Sequence, residues 1–296
     1  MNMITESKPL IFGEVLFDRF PDGSEVLGGA PFNGAWHLQA FGAAPRFVSR
    51  VGDDSLGRRI RTTMQAWGMD DADLQSDPEH PTGTVEVRIE NDEPSFNIVA
   101  DRAYDFISTD HLPPPGTTSL IYHGSLALRN AANRRALERM VSGSGAPVFL
   151  DVNLRPPWWE TEQVSRLLEA ARWAKLNEAE LEALAPAGGD LHSRAGVLQE
   201  ACDLDLLIVT LGAEGAMASS RDGRYYRVSS KPSLRLVDTV GAGDAFSAVS
   251  VFGLLRGWDL DLILERAQDF AAAMVGIRGA TPGSRDFYAP FLNNWL

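Results

Sequence analysis

The chain has 296 residues, 44% hydrophobic and 23% charged, enough for one large α/β domain or a main domain with a small appendage. A net charge of −13 excludes a nucleic-acid surface built on clustered basic residues but leaves room for a local phosphate site. No stretch approaches a membrane span, Met1 to Lys8 lacks a signal-peptide core, and the lone Cys202 rules out an intramolecular disulfide, so a cytoplasmic protein with Cys202 as a packing residue is expected.

Taken in order, Leu10 to Asp18 reads as one buried opening strand that ends in polar residues. Gly28-Gly29-Ala30-Pro31-Phe32-Asn33 leads into a helix over Asn33 to Phe41, closed by Gly42. Arg46 to Gly52 is a second strand, and Gly52-Asp53-Asp54 introduces a helix from Ser55 to Trp67 with Gly68 as its stop. The pattern then changes. Thr84 to Glu90 alternates with Val85, Val87 and Ile89 on one face, and Phe96 and Ile98 continue after the turn Asn91-Asp92-Glu93. That is an antiparallel hairpin with one apolar side, either joined with Pro21 to Val26 in a small sheet over a cleft or lying at the edge of the main sheet.

Strands then follow at Ser119–His123, Val148–Val152, Trp173–Leu176 and Leu206–Thr210, with helical segments between them. Met217 to Ser220 and Tyr225 to Val228 flank Arg221-Asp222-Gly223, a hairpin turn. The last third is helical, over Asp244–Leu255, Leu260–Gly276 and a tail ending at Trp295. The expected architecture is a single α/β domain over 1–296, a doubly wound, mainly parallel sheet flanked by helices. A small β-sheet lid is expected from about 19–27 and 82–100.

In open α/β sheets ligands bind beyond the carboxyl ends of the strands, and polar clusters fall at several predicted strand ends. Asp18 ends the first strand, and Asn33 offers a donor and an acceptor to a polyol beside the flexible Gly28-Gly29. Alternation would place Asp151, Asn153 and Arg155 on one side of an extended segment, to hold a hydroxyl or phosphate, or as a structural Asp151–Arg155 pair. Trp158-Trp159 reads as packing. Asn177 and Glu180 open a helix, where Glu180 either complements the dipole or orients water around Mg²⁺. Thr210, Gly212 and Gly215 suit nucleotide phosphates.

The most informative run is Asp238-Thr-Val-Gly241-Ala242-Gly243-Asp244. Its glycines and the following helix start aim N–H groups at one point, an anion site, and Asp244 beside it suits a general base rather than an anion ligand. A plain helix cap is the competing reading. The chain has three lysines, Lys8, Lys175 and Lys231, and no Gly-x-x-x-x-Gly-Lys-Ser/Thr match, which disfavours a P-loop ATPase. The five histidines show no metal-ligand spacing, and no Gly-x-Gly-x-x-Gly follows the first strand, which disfavours a dehydrogenase.

These segments together resemble the PfkB (ribokinase-like) family of sugar and nucleoside kinases over nearly the whole chain. Gly28 to Asn33 through Gly52-Asp53-Asp54-Ser55-Leu56-Gly57 resembles its N-terminal signature, and Asp238 to Asp244 its C-terminal one. Gly13-Glu14, Thr82 to Val87, Ala103 to Ile107, His123 to Arg129 and Asp151 to Trp158 are most similar to bacterial fructokinases. Phe32 replaces the small residue more usual there and would reshape the sugar pocket.

The resemblance implies phosphoryl transfer from ATP to a primary hydroxyl, with fructose the leading substrate and a sugar acid such as 2-keto-3-deoxygluconate the alternative. A silent binding protein of the same fold is a third reading, disfavoured because Asp244, the glycines and Asn33 are all present. Asp244 would be the base, with the N–H groups of Gly241, Ala242 and Gly243 around the phosphoryl group. Asp18, Gly28, Gly29, Asn33 and Arg155 would hold the sugar. Asn177, Glu180, Thr210, Gly212 and Gly215 would serve ATP, with Glu180 acting on Mg²⁺ through water and Asp238 on K⁺ at a monovalent-cation site. A homodimer through the lid is the implied assembly, with the sugar cleft or a partner covering the apolar face of Val85, Val87 and Ile89.

Overall fold

A computed structural model of the chain describes residues 7–90, 93–114, 116, 118–186, 188–230 and 237–295, at 89, 90, 93 and 94 by the backbone alone. Met1 to Glu6, the turn residues Asn91 and Asp92, the Ile89 side chain and Lys231 lie outside the described residues. The first third contains β1 (Lys8–Phe12), β2 (Leu16–Arg19), β3 (Glu25–Gly28), α1 (Ala30–Ala40), β4 (Arg46–Gly52), α2 (Ser55–Trp67), β5 (Leu74–Asp77), β6 (Gly83–Glu90) and β7 (Glu93–Ile98). Next come β8 (Thr118–His123), α3 (Ala131–Ser144), β9 (Val148–Asp151), α4 (Thr161–Ala170), β10 (Trp173–Asn177), α5 (Glu178–Leu184) and α6 (Leu191–Ala201). The remainder is β11 (Leu206–Thr210), β12 (Ala216–Ser220), β13 (Tyr225–Val228), α7 (Ala242–Arg256), α8 (Leu260–Met274) and α9 (Ala289–Trp295).

The apolar strands form a nine-stranded sheet in the order β13-β12-β11-β10-β9-β8-β1-β4-β5. It is parallel from β11 to β5, while β12 and β13 are added antiparallel at one edge. Both faces are buried because successive side chains point to opposite sides. Ile11, Phe149 and Ile208 face a core with α1, α2, α7 and α8, while Leu10, Leu150 and Val209 face one with α3 to α6. The chain winds outward from β1 to β5, then returns to β8 on the other side of β1. The strand order therefore reverses beside β1, and the crevice beyond those strand ends is where such sheets bind ligands.

The hairpin is not an edge of this sheet. It forms a second, four-stranded sheet in the order β3-β2-β6-β7, with Val85 opposite Ile98 and Val87 opposite Phe96. The base of its apolar face needs no partner: Val85 and Ile98 pack with Leu16, Tyr104, Leu126 and Ala127 of the same chain, and Val87 is buried. At the tip Phe96 stays 51% exposed.

The predicted opening strand is also corrected. Its apolar run serves three cores, with Leu10 and Phe12 on one face of the main sheet, Ile11 and Val15 on the other, and Leu16 in the core of the small sheet. The chain leaves the main sheet after Phe12 and enters the second at Leu16. The α2 prediction holds, with Gly68 in the left-handed region as its C-cap. Asp54 is its N-cap, accepting from the Gly57 N–H at 2.8 Å, and it also accepts from the Thr82 N–H and hydroxyl at 2.8 and 2.7 Å. That carboxylate ties the start of β6 to the main domain.

Candidate functional site

Two helices that start at the crevice bring the ends of the chain together. The Asn33 amide on α1 donates to Asp244 Oδ2 on α7 at 2.7 Å, across 211 residues of sequence. The Asn33 amide oxygen is buried without a partner. Helix α1 can start here because Gly29 caps it at φ +112°, where a Cβ would lie 2.6 Å from the Glu14 carbonyl oxygen. The Gly28-Gly29 loop thus presses onto the corner between β1 and β2. Asp18, half-buried on β2, lies close enough to Gly28 that a Cβ there would stand 3.5 Å from its Oδ2.

The carboxylates here are perturbed in one direction. Burial pushes Asp18 up to about 6 against the opposing pull of Arg155. Burial pushes Glu14 up to about 7, opposed by its own backbone N–H and by Arg155 and reinforced by Asp244. Burial first, and the Asp151 charge second, raise Asp244, while the Asn33 hydrogen bond, Lys175 and Arg155 hold it down. Arg155 is exposed and its field reaches all three carboxylates. Carboxylates perturbed by burial and by one another in a crevice mark a candidate functional site.

Glu14 is 2% exposed and its Oε2 has no partner. Its carboxyl is protonated in the folded and unfolded chain alike below its ordinary value of 4.5, so burial then carries no charge penalty. As pH rises through about 7 the folded chain must ionise it, and stability is lost over that window. Glu14→Gln is therefore expected to raise Tm at pH 8 and leave it nearly unchanged at pH 4.5, measured by paired thermal melts. An equal effect at both pH values would show that this carboxyl carries no buried charge.

The glycine turn and the helix start behind it form as expected. Gly241 caps α7 at φ +81° without a side-chain cap bond, leaving first-turn N–H groups to an outside acceptor. Of the three amides, that of Ala242 donates a long hydrogen bond to the Thr239 carbonyl at 3.4 Å, which an outside acceptor would have to share or displace. A Cβ at Gly241 would lie 2.3 Å from the Ala280 Cβ, so the turn is seated against the loop after α8. Asp238 joins the same loops, accepting from the Val240 N–H at 3.0 Å and the Gly279 N–H at 3.1 Å.

Along the other side, Thr210, Gly212 and Gly215 line a cavity of about 500 Å³ with Ala242, Gly243 and Phe246. Asn177 and Glu180 do not line it, although Asn177 is the register partner of Thr210 on the neighbouring strand, and they form a capping box on α5. Glu180 is buried, and its two oxygens accept from the Leu154 N–H at 2.7 Å and the Asn177 N–H at 2.9 Å. Burial, then Asp151, raises its pKa. Among the described residues no group of three or more His, Cys, Asp or Glu side chains is arranged to hold a metal.

Three sequence readings are corrected. The strand stops at Asp151 and Asn153 adopts φ +43°, so Asp151, Asn153 and Arg155 do not share one extended face. Asp151 pairs instead with Lys175, whose Nζ donates to its two oxygens at 3.0 and 3.1 Å. Phe32 is fully buried against Trp36 and Phe47, so it fills the core and lines no sugar pocket. Trp158 packs as predicted, under the Arg129 guanidinium at 4.4 Å, and Cys202 is a buried free thiol.

Sequence reasoning missed the roles of Lys175 and Ser247, the burial of the Glu14 carboxyl and the His37 Nδ1 contact to the Tyr288 hydroxyl at 3.0 Å. Lys175 alone gave a signal: a lysine placed to fall inside a buried parallel strand needs a counter-charge.

Known proteins share this fold. The model of the pfkB family of carbohydrate kinases matches residues 4–286. A fructokinase from Klebsiella pneumoniae is 32% identical over 278 residues, 89% of this chain and 89% of that protein. An aminoimidazole riboside kinase from Salmonella typhimurium is 29% identical, covering 93% of this chain and 91% of that one. A solved fructokinase from Vibrio cholerae, bound to fructose, ADP and calcium, superposes with a TM-score of 0.81 at 27% identity, over 97% of this chain and 99% of that one. A family match running through both glycine motifs and every strand of the main sheet settles the classification: the chain belongs to the pfkB family of carbohydrate kinases and is an ATP-dependent enzyme of that class.

Proposed function

We propose that this kinase phosphorylates the primary hydroxyl of a sugar in the crevice at Asp244, with fructose to fructose 6-phosphate as the best-supported reaction. The observation that carries the site assignment is the 2.7 Å contact from Asn33 to Asp244, next to the glycine turn. Asp244 takes the hydroxyl proton as the oxygen attacks phosphorus, and the amides of Gly241, Ala242 and Gly243 receive the charge on the phosphoryl oxygens. Such catalysis is mostly positioning and electrostatics. Asp18, Gly28, Gly29, Asn33 and Arg155 hold the sugar. The partnerless Asn33 oxygen is a ready acceptor for one of its hydroxyls.

ATP lies along Thr210, Gly212 and Gly215, its phosphates toward Gly243. Mg²⁺ neutralises phosphate charge when bound, and Glu180 and Asn177 would hold it through water, with each Glu180 oxygen fixed by one backbone N–H and keeping a second lone pair for that water. Asp238 would help hold a monovalent cation such as K⁺ where it draws the two loops together. The four-stranded sheet, which supplies Asp18, acts as a lid that excludes water, and the exposed Phe96 at its tip suits a homodimer contact.

The fructose assignment rests on the fructokinase relatives, and the aminoimidazole riboside kinase relative at similar identity favours testing other acceptors. Turnover is measured on a panel of fructose, other ketoses, nucleosides and 2-keto-3-deoxygluconate at equal concentration. Fructose is expected to give the highest kcat/KM. Robust turnover of a sugar acid or nucleoside beside none of fructose would overturn the fructose reading.

Asn33→Ala removes a donor to the ionised form of Asp244, so the Asp244 pKa rises and the acid limb of kcat/KM moves to higher pH. Losing a hydrogen bond to the sugar should also raise the sugar KM by about tenfold. A pH–rate profile with both limb and KM unmoved would remove Asn33 from the site.

A further inference from the structure

Beneath the anion turn sits a buried ion pair that sugar contacts do not require. Asp151 and Lys175 are register partners on the neighbouring parallel strands β9 and β10, so their side chains leave the sheet on the same side. They are 1% and 6% exposed. Ser247, one turn along α7 from Asp244, donates to Asp151 Oδ2 at 2.6 Å. Lys175 Nζ also reaches the Gly243 carbonyl at 3.5 Å, and a Cβ on Gly243 would stand 3.3 Å from it. The pair therefore touches α7 on both sides of the residue that carries the base.

We propose that Lys175 and Asp151 are positioning residues that hold the first turn of α7 and balance the charge felt by Asp244, so that the base is ionised at working pH yet still basic enough to take a proton. The proposal rests on the reading of Asp244 as the base. A buried pair with a purely structural purpose is poorly motivated here, since well-packed apolar residues usually do as well for stability. The two members pull Asp244 in opposite directions: Asp151 disfavours its charged form and Lys175 favours it. Lys175 stays charged, because Asp151, Glu180 and Asp244 more than offset the effect of its burial.

The other groups facing Asp244 are Asn33 on α1, Arg155 after β9, Glu14 between β1 and β2, and the Tyr122 hydroxyl on β8. They are constant through the series below.

The test is the pH profile of kcat/KM, with the best acceptor of the panel, for the full-length wild type, Asp151→Asn, Lys175→Met and the double variant. Asp151→Asn is expected to move the acid limb down by about one pH unit and Lys175→Met to move it up by a similar amount. The double variant should return close to wild type. Where Lys175→Met alone does not fold with Asp151 left bare, the step from Asp151→Asn to the double variant reads the same lysine effect. Limbs that stay put, or that move the same way in both single variants, would overturn the proposal and leave the pair structural. Asp244→Asn runs alongside: if it retains turnover, the base assignment fails, whereas loss of turnover with unmoved limbs elsewhere defeats this inference alone.

Discussion

Replacing Asp244 with asparagine is expected to leave the fold and ATP binding intact while lowering kcat by about 10²–10⁴-fold, the span typical of a lost general base. Asparagine keeps the side chain's shape and can still accept from the Asn33 amide, so the 2.7 Å contact between α1 and α7 survives. What disappears is the ability to take a proton. The carboxyl's raised pKa strengthens it as a base while also making it more easily protonated, so the wild-type rate should fall at a pH above the ordinary aspartate value of 3.8. The measurement pairs a thermal melt and nucleotide titration with steady-state kinetics across pH. A variant that melts normally and turns over within a few-fold of wild type would exclude Asp244 as the base.

Gly241→Ala should be almost as damaging, by a different route. A methyl there meets the Ala280 Cβ at 2.3 Å and Cα at 2.7 Å, and alanine is strained at φ +81°. The strain costs about 1–3 kcal/mol, visible as a lower Tm. Relief of the clash shifts the turn relative to α7 and misaims its amides. Losing one well-aimed donor to a developing anion costs about 10²–10³-fold in kcat. The sugar KM should change far less, because Asn33 and Asp18 lie on other elements. A drop in Tm with kcat preserved would mean that the turn is structural and that its amides do not face the transferred group.

The parts of the fold that local chemistry dictates were legible. The α2 helix announces itself through the Asp54 cap and the Gly68 stop, and β6–β7 through alternation on one apolar face. The glycine turn before α7 is equally local, since a glycine able to adopt a positive φ followed by an apolar helical stretch marks a helix start. The unreadable parts depend on which distant segments come together. The run Leu10 to Phe17 carries one local break, Gly13 at φ +152°, and its apolar residues on both sides of it read as one strand until they divide among separate cores. The Lys175–Asp151 pair exists because β9 and β10 align in one register, which neither segment encodes alone. Phe32 reads from the sequence as a pocket residue, and it belongs to the core because Phe47 and Trp36, distant or one turn away in the chain, pack around it. Glu14 reads as a residue inside the opening strand, and only the fold shows it in the corner between β1 and β2 with its carboxyl buried.

The most direct measurement is a crystal structure of the enzyme with its preferred sugar and a non-hydrolysable ATP analogue. The account places a carboxylate oxygen of Asp244 within about 3 Å of the primary hydroxyl. It also places the terminal phosphate on the amides of the Gly241–Gly243 turn. A sugar bound with that hydroxyl turned away from Asp244, or phosphates seated elsewhere than on this turn, would contradict it.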